Sequence, residues 1–258
     1  MNLPQFTNYL DSNMAETALP SKRHDFNPYE MNGGMLVALA GKDYALIASD
    51  TRLSAGFVIH SRSFPHVRRL SDRILLGAVG FQGDVQTLVK MLDARLTVFR
   101  HEHGAEMSCS ELASMLSNTL YYRRFFPYYV YNLLVGLDSD GHGAVYSYDP
   151  VGSYEREAFR ASGSADALLQ PVLDSLVGQR NRADKPSPFQ VNTRNTTGGT
   201  SIEGVPVYVS IARDEAVRVV HDAFVSAAER EISVGDSCII QVLSATGVEK
   251  IEFPLRRD

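Results

Sequence analysis

The sequence predicts an α+β fold in which two antiparallel sheets are stacked between two pairs of helices. Apolar residues change their spacing along the chain, from the alternation of strands to the three- and four-residue repeat of helices, and back again. The resulting order is strands, two helices, strands, two helices, strands. Because strands and helices do not alternate regularly, a parallel sheet is disfavoured. Two stacked sheets between helix pairs would bury nearly all the apolar faces of the predicted strands and helices.

The first strands are short, apolar and bounded by turn residues. Residues 33–39 and 44–52 flank the turn Gly41-Lys42-Asp43, and residues 56–60 and 73–79 are further strand candidates. The first helix follows, because apolar residues recur at helical spacing from Val85 to Phe99, and Gly104 ends it. Ser108 and Glu111 form a capping-box pattern that begins the second helix.

The second half of the chain also begins with strands, continues with two helices and ends with strands. Strand patterns cover residues 129–137, 144–149 and 153–160, separated by Asp- and Gly-containing hairpin turns. Helical patterns cover residues 165–177 and 210–231. Residues 237–243 and 248–253 predict a closing hairpin.

The 258 residues are compatible with one domain flanked by less regular sequence. Residues 1–32 lack periodicity and contain three prolines, so we interpret them as an N-terminal extension and a candidate propeptide. Residues 33–258 form the domain. Within it, residues 178–206 are rich in Gly, Pro, Asn and Thr, which predicts a surface insertion.

Composition excludes several classes of function. The formal charge of −5 argues against a nucleic-acid partner, which a basic face would indicate. No apolar run reaches the length of a membrane span, so no membrane is expected as a partner. The two cysteines, Cys109 and Cys238, match no metal spacing and are too few for a disulfide scaffold, which favours a reducing compartment.

Over about residues 28–258, apart from the insertion, the chain resembles the beta subunits of the eukaryotic proteasome core particle, and among them a non-catalytic type. The resemblance rests on residues 26–29, 48–54, 123–130, 143–154 and 226–230. It implies a four-layer α-β-β-α sandwich of the N-terminal-nucleophile hydrolase type. It also implies proteasome alpha and beta subunits as partners in four stacked rings, protein degradation that depends on ATP and ubiquitin, a cytoplasmic and nuclear location, and no cofactor or metal.

The resemblance also allows each catalytic position of the active members to be compared. Their nucleophile is a threonine freed by cleavage, whereas this chain has Gly34 and then Met35, neither of which carries a hydroxyl. The nucleophile therefore cannot form. Asp50 matches the family aspartate, but His66 stands where the catalytic lysine is expected.

The remaining catalytic positions are partly altered. Ser162-Gly163-Ser164 matches a serine–glycine turn beside the nucleophile, while Glu231 and Val234 replace a late Asp and Ser. We therefore predict no catalytic residues, and a non-catalytic subunit of a threonine-type endopeptidase complex.

Structural roles are the simpler interpretation of the residues that remain. Asp50 would hold a strand-to-turn bend, His66 would be a strand or pocket residue, and Ser164 would cap a helix. His101 and His103 are two residues apart on a helix, so they face different sides and predict an exposed helix end. The aromatic and basic residues 123–131 predict a core corner that is partly used against a neighbouring subunit.

Two other hypotheses remain open. The chain would be an active N-terminal-nucleophile hydrolase if the nucleophile were mis-aligned, with Thr51 as the nearest threonine. Alternatively, it would be a soluble α/β domain with an unrelated binding role, which would leave the ordered series of matching motifs unexplained.

Overall fold

The computed structural model describes residues 29–178 and 207–257. The predicted insertion at 178–206 lies outside the described residues except for Gly178, and so do residues 1–28 of the predicted extension. The strands are β1 Met35–Ala40, β2 Tyr44–Asp50, β3 Leu53–Ala55, β4 Val58–Ser61, β5 Val67–Ser71, β6 Ile74–Gly80, β7 Val130–Leu137, β8 Gly143–Tyr148, β9 Tyr154–Glu157, β10 Phe159–Gly163, β11 Ser237–Ser244 and β12 Gly247–Pro254. The helices are α1 Gln82–His103, α2 Cys109–Tyr121, α3 Asp166–Leu173 and α4 Arg213–Ala228.

Two five-stranded antiparallel sheets form the centre of the domain. Their strand orders are β10-β1-β2-β11-β12 and β5-β6-β7-β8-β9, and β3 and β4 form a separate hairpin. Apolar side chains of β1 and β2 pack against those of β6, β7 and β8 between the sheets. Helices α1 and α2 cover the outer face of one sheet, and α3 and α4 cover the other. The predicted four-layer α-β-β-α sandwich is therefore confirmed.

One predicted strand is wrong in a way that matters for the topology. Residues 153–160 were expected to form a single strand, but they form β9 and the start of β10, which belong to different sheets. The chain changes sheets at Ala158, whose carbonyl accepts a hydrogen bond from the amide of Ala40. Strand β5 was not predicted, because Arg68 and Arg69 interrupt its apolar pattern at the edge of the sheet.

The third and fourth helices are shorter than predicted. The third helix, expected over 165–177, is α3 followed by a π-helical turn at Asp174–Gly178. Pro171 lies just before this change, and a proline has no N–H to continue the helical hydrogen bonds. The fourth helix, expected over 210–231, is limited to Arg213–Ala228.

Local signals place the ends of α1 and α2 where they were expected. Gly104 adopts a left-handed conformation with φ 64° and donates its N–H to the carbonyl of Arg100. The Ser108 hydroxyl accepts from the Glu111 amide at 3.3 Å, and the Glu111 carboxylate accepts from the Ser108 amide at 2.8 Å. Both halves of the capping box are present.

We expect the Ser108→Ala variant to lower the free energy of unfolding by about 1 kcal/mol, the usual loss when an N-cap hydroxyl is removed. Urea denaturation of the isolated chain measures it. Thr87→Ala is the matched control, because the Thr87 hydroxyl only bonds back to the Gly83 carbonyl within α1, and should change stability little. Equal effects of the two changes would contradict the assignment of the cap.

Candidate functional site

The fold brings the compared catalytic positions to one end of the sandwich. Gly34 precedes β1, Asp50 ends β2 and Gly163 ends β10, and these three strands are neighbours in one sheet. His66 precedes β5, at the edge of the second sheet. Contacts among these residues, described below, define the candidate site.

Position 34 has no room for a side chain. A Cβ added to Gly34 would lie 2.8 Å from Val79 Cγ1 and 3.0 Å from His66 Cε1, both closer than such atoms normally approach. The backbone of Gly34 has φ +91°, in the region that favours glycine. Its carbonyl accepts hydrogen bonds from the amide and the hydroxyl of Ser164, at 3.0 and 3.2 Å. Packing and backbone conformation therefore both favour glycine here.

Asp50 is fully buried and accepts a hydrogen bond from the amide of Met35 at 2.9 Å. Burial raises the pKa of this carboxyl to about 7, although hydrogen bonds from the Met35, Gly235 and Arg52 amides oppose the rise. Asp50 therefore supports the start of β1 through a peptide N–H, and His66 Nε2 lies 3.9 Å from its carboxylate.

His66 is equally buried, between the bend after β2 and the start of β5. Its Nε2 lies 3.0 Å from the carbonyl of Arg52. A carbonyl can only accept, so Nε2 carries the proton and Nδ1 is the unprotonated nitrogen. Burial lowers the pKa of His66 below its ordinary value. The ring is thus neutral at neutral pH, which is unlike the charge of a lysine ammonium.

The pKa of Asp50 predicts how stability changes with pH. An ordinary Asp carboxyl titrates near 3.8, and Asp50 in the fold titrates at about 7. Between these values the unfolded chain loses a proton that the folded chain keeps, so this group contributes stability at low pH that is lost as the pH rises. Asp50→Asn removes this loss and keeps an acceptor for the Met35 amide. The stability of the variant relative to the parent should therefore increase from about pH 4 to about pH 7 and then level off.

Urea denaturation of both proteins across this range measures the difference. His66→Gln is the control with the opposite sign, because a lowered pKa favours the fold as the pH rises. Parallel stability curves for the parent and Asp50→Asn would contradict the burial argument.

The prediction that Ser164 caps a helix is wrong. The N-cap of α3 is Ala165, without a side-chain hydrogen bond. The Ser164 hydroxyl instead donates to the Gly34 carbonyl, so tertiary contact replaces the local cap. Ser162 is opposite Leu36 in the pairing of β10 with β1.

The late pair has different partners from those that catalysis would need. The Glu231 carboxylate accepts from the amide and hydroxyl of Ser233, at 3.2 and 2.7 Å. Val234 is buried in the apolar core between the sheet and α4. Ser233 itself lies against Gly33, where an added Cβ would be 2.9 Å from Ser233 Cβ.

A buried ion cluster supports the site and was missed from the sequence. Asp236 binds Arg52 Nε at 2.9 Å and Arg62 Nη1 at 2.5 Å. Burial would raise the pKa of Asp236, but the hydrogen bonds from the two arginines hold it below its ordinary value. Arg52 also donates to the Ile232 carbonyl at 2.8 Å, which fixes the loop after α4. Nothing in the sequence links Arg52 to Asp236, because the two residues are far apart along the chain.

A cleft of about 480 Å³ opens beside these residues. Its walls include Gly33, Ser54, Gly80, Tyr131, Glu231 and Ser233. Ser54, Tyr131 and Ser233 supply hydroxyl-bearing side chains to the cleft, but Gly34 is not one of its lining residues. Thr51 is buried and donates its hydroxyl to the Arg62 carbonyl at 2.8 Å, which leaves this threonine engaged in the bend rather than in the cleft.

Other candidate groups lie apart from the site. His101 and His103 are exposed at the end of α1, as expected. Within residues 29–178 and 207–257, no cluster of three or more His, Cys, Asp or Glu side chains could hold a metal ion. None of the helices in this part of the chain is long and apolar enough to span a membrane.

Comparisons with known proteins identify what the chain is similar to. A family model described as "Proteasome subunit" matches residues 30–186. "Proteasome subunit beta type-1" of Danio rerio is 45% identical over 235 residues, 91% of this chain and 90% of that protein. The Arabidopsis thaliana protein of the same name is 42% identical over 239 residues, 92% and 100% of the two chains. "Proteasome subunit beta type-6" of Saccharomyces cerevisiae is 40% identical over 236 residues, 91% and 92%.

Proposed function

The chain belongs to the proteasome subunit family as a core beta subunit, and from this premise we propose that it is a structural member without a catalytic site of its own. The observation that carries the proposal is the geometry at position 34. Val79 and His66 fill the space that a nucleophile's side chain would need. The Met35 amide donates to the Asp50 carboxylate, so this aspartate supports the backbone at the start of β1.

The proposed role is to complete the wall of the chamber in which other subunits cleave proteins. The family implies assembly with other proteasome subunits. We infer beta and alpha rings stacked in four layers, in the cytoplasm and nucleus, degrading proteins in a pathway that depends on ATP and ubiquitin. In this assembly the chain would contribute surface, and would shape the sites of its neighbours.

Covalent labelling tests the proposal. Intact particles that contain this chain are treated with a threonine-directed inhibitor carrying a fluorophore, and the subunits are then separated and identified by mass spectrometry. Other beta subunits in the same particles should be labelled and serve as the internal positive control, while this chain stays unlabelled. Label on this chain would instead support the alternative, an active hydrolase with a different nucleophile.

A further inference from the structure

An exposed surface of aromatic and arginine side chains lies on the connection from α2 to β7. We call it the aromatic–arginine patch. It consists of Tyr121, Tyr122, Arg123, Arg124, Phe125, Phe126 and Tyr129. Phe125 is 94% exposed and Phe126 is 60% exposed, whereas Tyr128 in the same segment is buried. Large contiguous apolar patches are uncommon on monomeric proteins and usually mark an interaction site.

The charge of the patch is opposite to that of the protein. The chain has a formal charge of −5, yet residues 121–131 contain two arginines and no acidic residue. The Arg124 guanidinium lies 5.3 Å from the Phe125 ring centre, and that of Arg123 lies 5.1 Å from the ring centre of Tyr128. In the described part of the chain, no carboxylate lies within 4.0 Å of either arginine. Both can therefore pair with carboxylates of a partner.

Tyr29 and Asp84, which lie outside the patch, hold part of it in place. Tyr29 packs against Phe126 and Tyr129 with ring centres 5.9 and 5.1 Å apart, and its hydroxyl donates to the Pro127 carbonyl at 3.2 Å. The Tyr129 amide donates to the Asp84 carboxylate at 2.9 Å. A surface that is already ordered loses less conformational entropy when it binds.

We propose that the aromatic–arginine patch binds another proteasome subunit through a surface that has an apolar centre and an acidic rim. The proposal rests on the proposed function, because it names the chemistry of one contact in the assembly. Exposed aromatic rings would fill the apolar centre, and Arg123 and Arg124 would pair with the rim. Aromatic residues and arginine are the types most enriched at protein interfaces.

Site-specific crosslinking identifies the occupant. The photoreactive amino acid benzoylphenylalanine replaces Phe125 in one variant and Phe57 in a matched control, since Phe57 is also 94% exposed. Assembled particles are irradiated and the crosslinked peptides are sequenced. The variant at position 125 should crosslink to a different proteasome subunit, in a peptide with Asp or Glu beside apolar residues, and the control should not reach that peptide. A crosslink to a second copy of this chain, to nucleic acid, or to a peptide without acidic residues would overturn the proposal, and so would the lack of any crosslink.

Incorporation into particles then measures the contribution of the patch. Tagged Phe125→Ser and Arg124→Glu variants are expressed beside the tagged parent, and native gels give the fraction in particles. We expect each variant to fold as the parent does, since both side chains are exposed, and to be incorporated about tenfold less, the effect of losing one interface hot spot. Normal incorporation of both variants would disprove the inference alone. Failure of the parent itself to enter particles would disprove the proposed function.

Discussion

Replacing Arg52 with methionine is expected to lower the free energy of unfolding by about 3–5 kcal/mol, the usual cost of removing one partner of a buried ion pair. The Arg52 side chain is 2% exposed, and Asp236 beside it is equally buried. Methionine has a similar volume but cannot donate to the Asp236 carboxylate or to the Ile232 carbonyl, which the guanidinium does in the parent. Urea denaturation of the isolated chain at neutral pH measures the loss.

Arg62→Met is the matched control. Arg62 binds the second oxygen of the same carboxylate, but its side chain is 50% exposed. Water can replace an exposed partner, so this variant should lose less than about 1 kcal/mol. If the two variants are destabilised equally, burial does not determine the strength of this cluster.

The Gly34→Thr variant should be destabilised by about 2–5 kcal/mol and should gain no peptidase activity. The left-handed backbone is unfavourable for a β-branched residue, and the new Cβ would press on Val79 and His66. Because His66, Glu231 and Val234 remain in place of the lysine, Asp and Ser, the added hydroxyl would have no catalytic partners. Groups that act as a unit are not restored by repairing one of them. Thermal unfolding and a fluorogenic peptide assay of reconstituted particles measure both effects.

Two alanine variants separate the causes. Gly56 also has a positive φ, of 55°, but a Cβ added there would meet nothing within 4 Å. Gly56→Ala should therefore cost only about 1–2 kcal/mol for the backbone conformation, and Gly34→Ala should cost more. If particles with Gly34→Thr hydrolyse the peptide and particles with the parent chain do not do so to the same extent, the catalytic positions have been misidentified.

Features of the fold could be predicted from the sequence where the residues that determine them are close together along the chain. The capping box of Ser108 and Glu111 and the glycine stop at Gly104 act within one turn of a helix, so they could be recognised without knowledge of the tertiary structure. The change of sheets at Ala158 has no such signal. Two strands separated by one residue have the same alternating pattern as one strand, and only their partners distinguish them.

The site shows the same limit. Comparison of residue types located Gly34, Asp50 and His66. It could not show that the His66 ring occupies the space beside Gly34. Ser164 was assigned to a helix cap because that pattern is local, whereas its hydroxyl bonds to a residue at the start of the domain. Asp236 could not be linked to Arg52, since the two are joined only by the folded structure.

The strand order of the first sheet also has a consequence for folding kinetics. Strands β1 and β2 are buried along their whole length. Their outer neighbours are β10, which pairs Gly163 with Met35, and β11, which pairs Cys238 with Asp50. During synthesis the apolar β1–β2 hairpin must therefore wait for distant segments before either of its edges is paired. Such non-local pairing slows folding and leaves strand edges open to aggregation. We therefore expect newly made chains to need protection by chaperones until β11 has been synthesised.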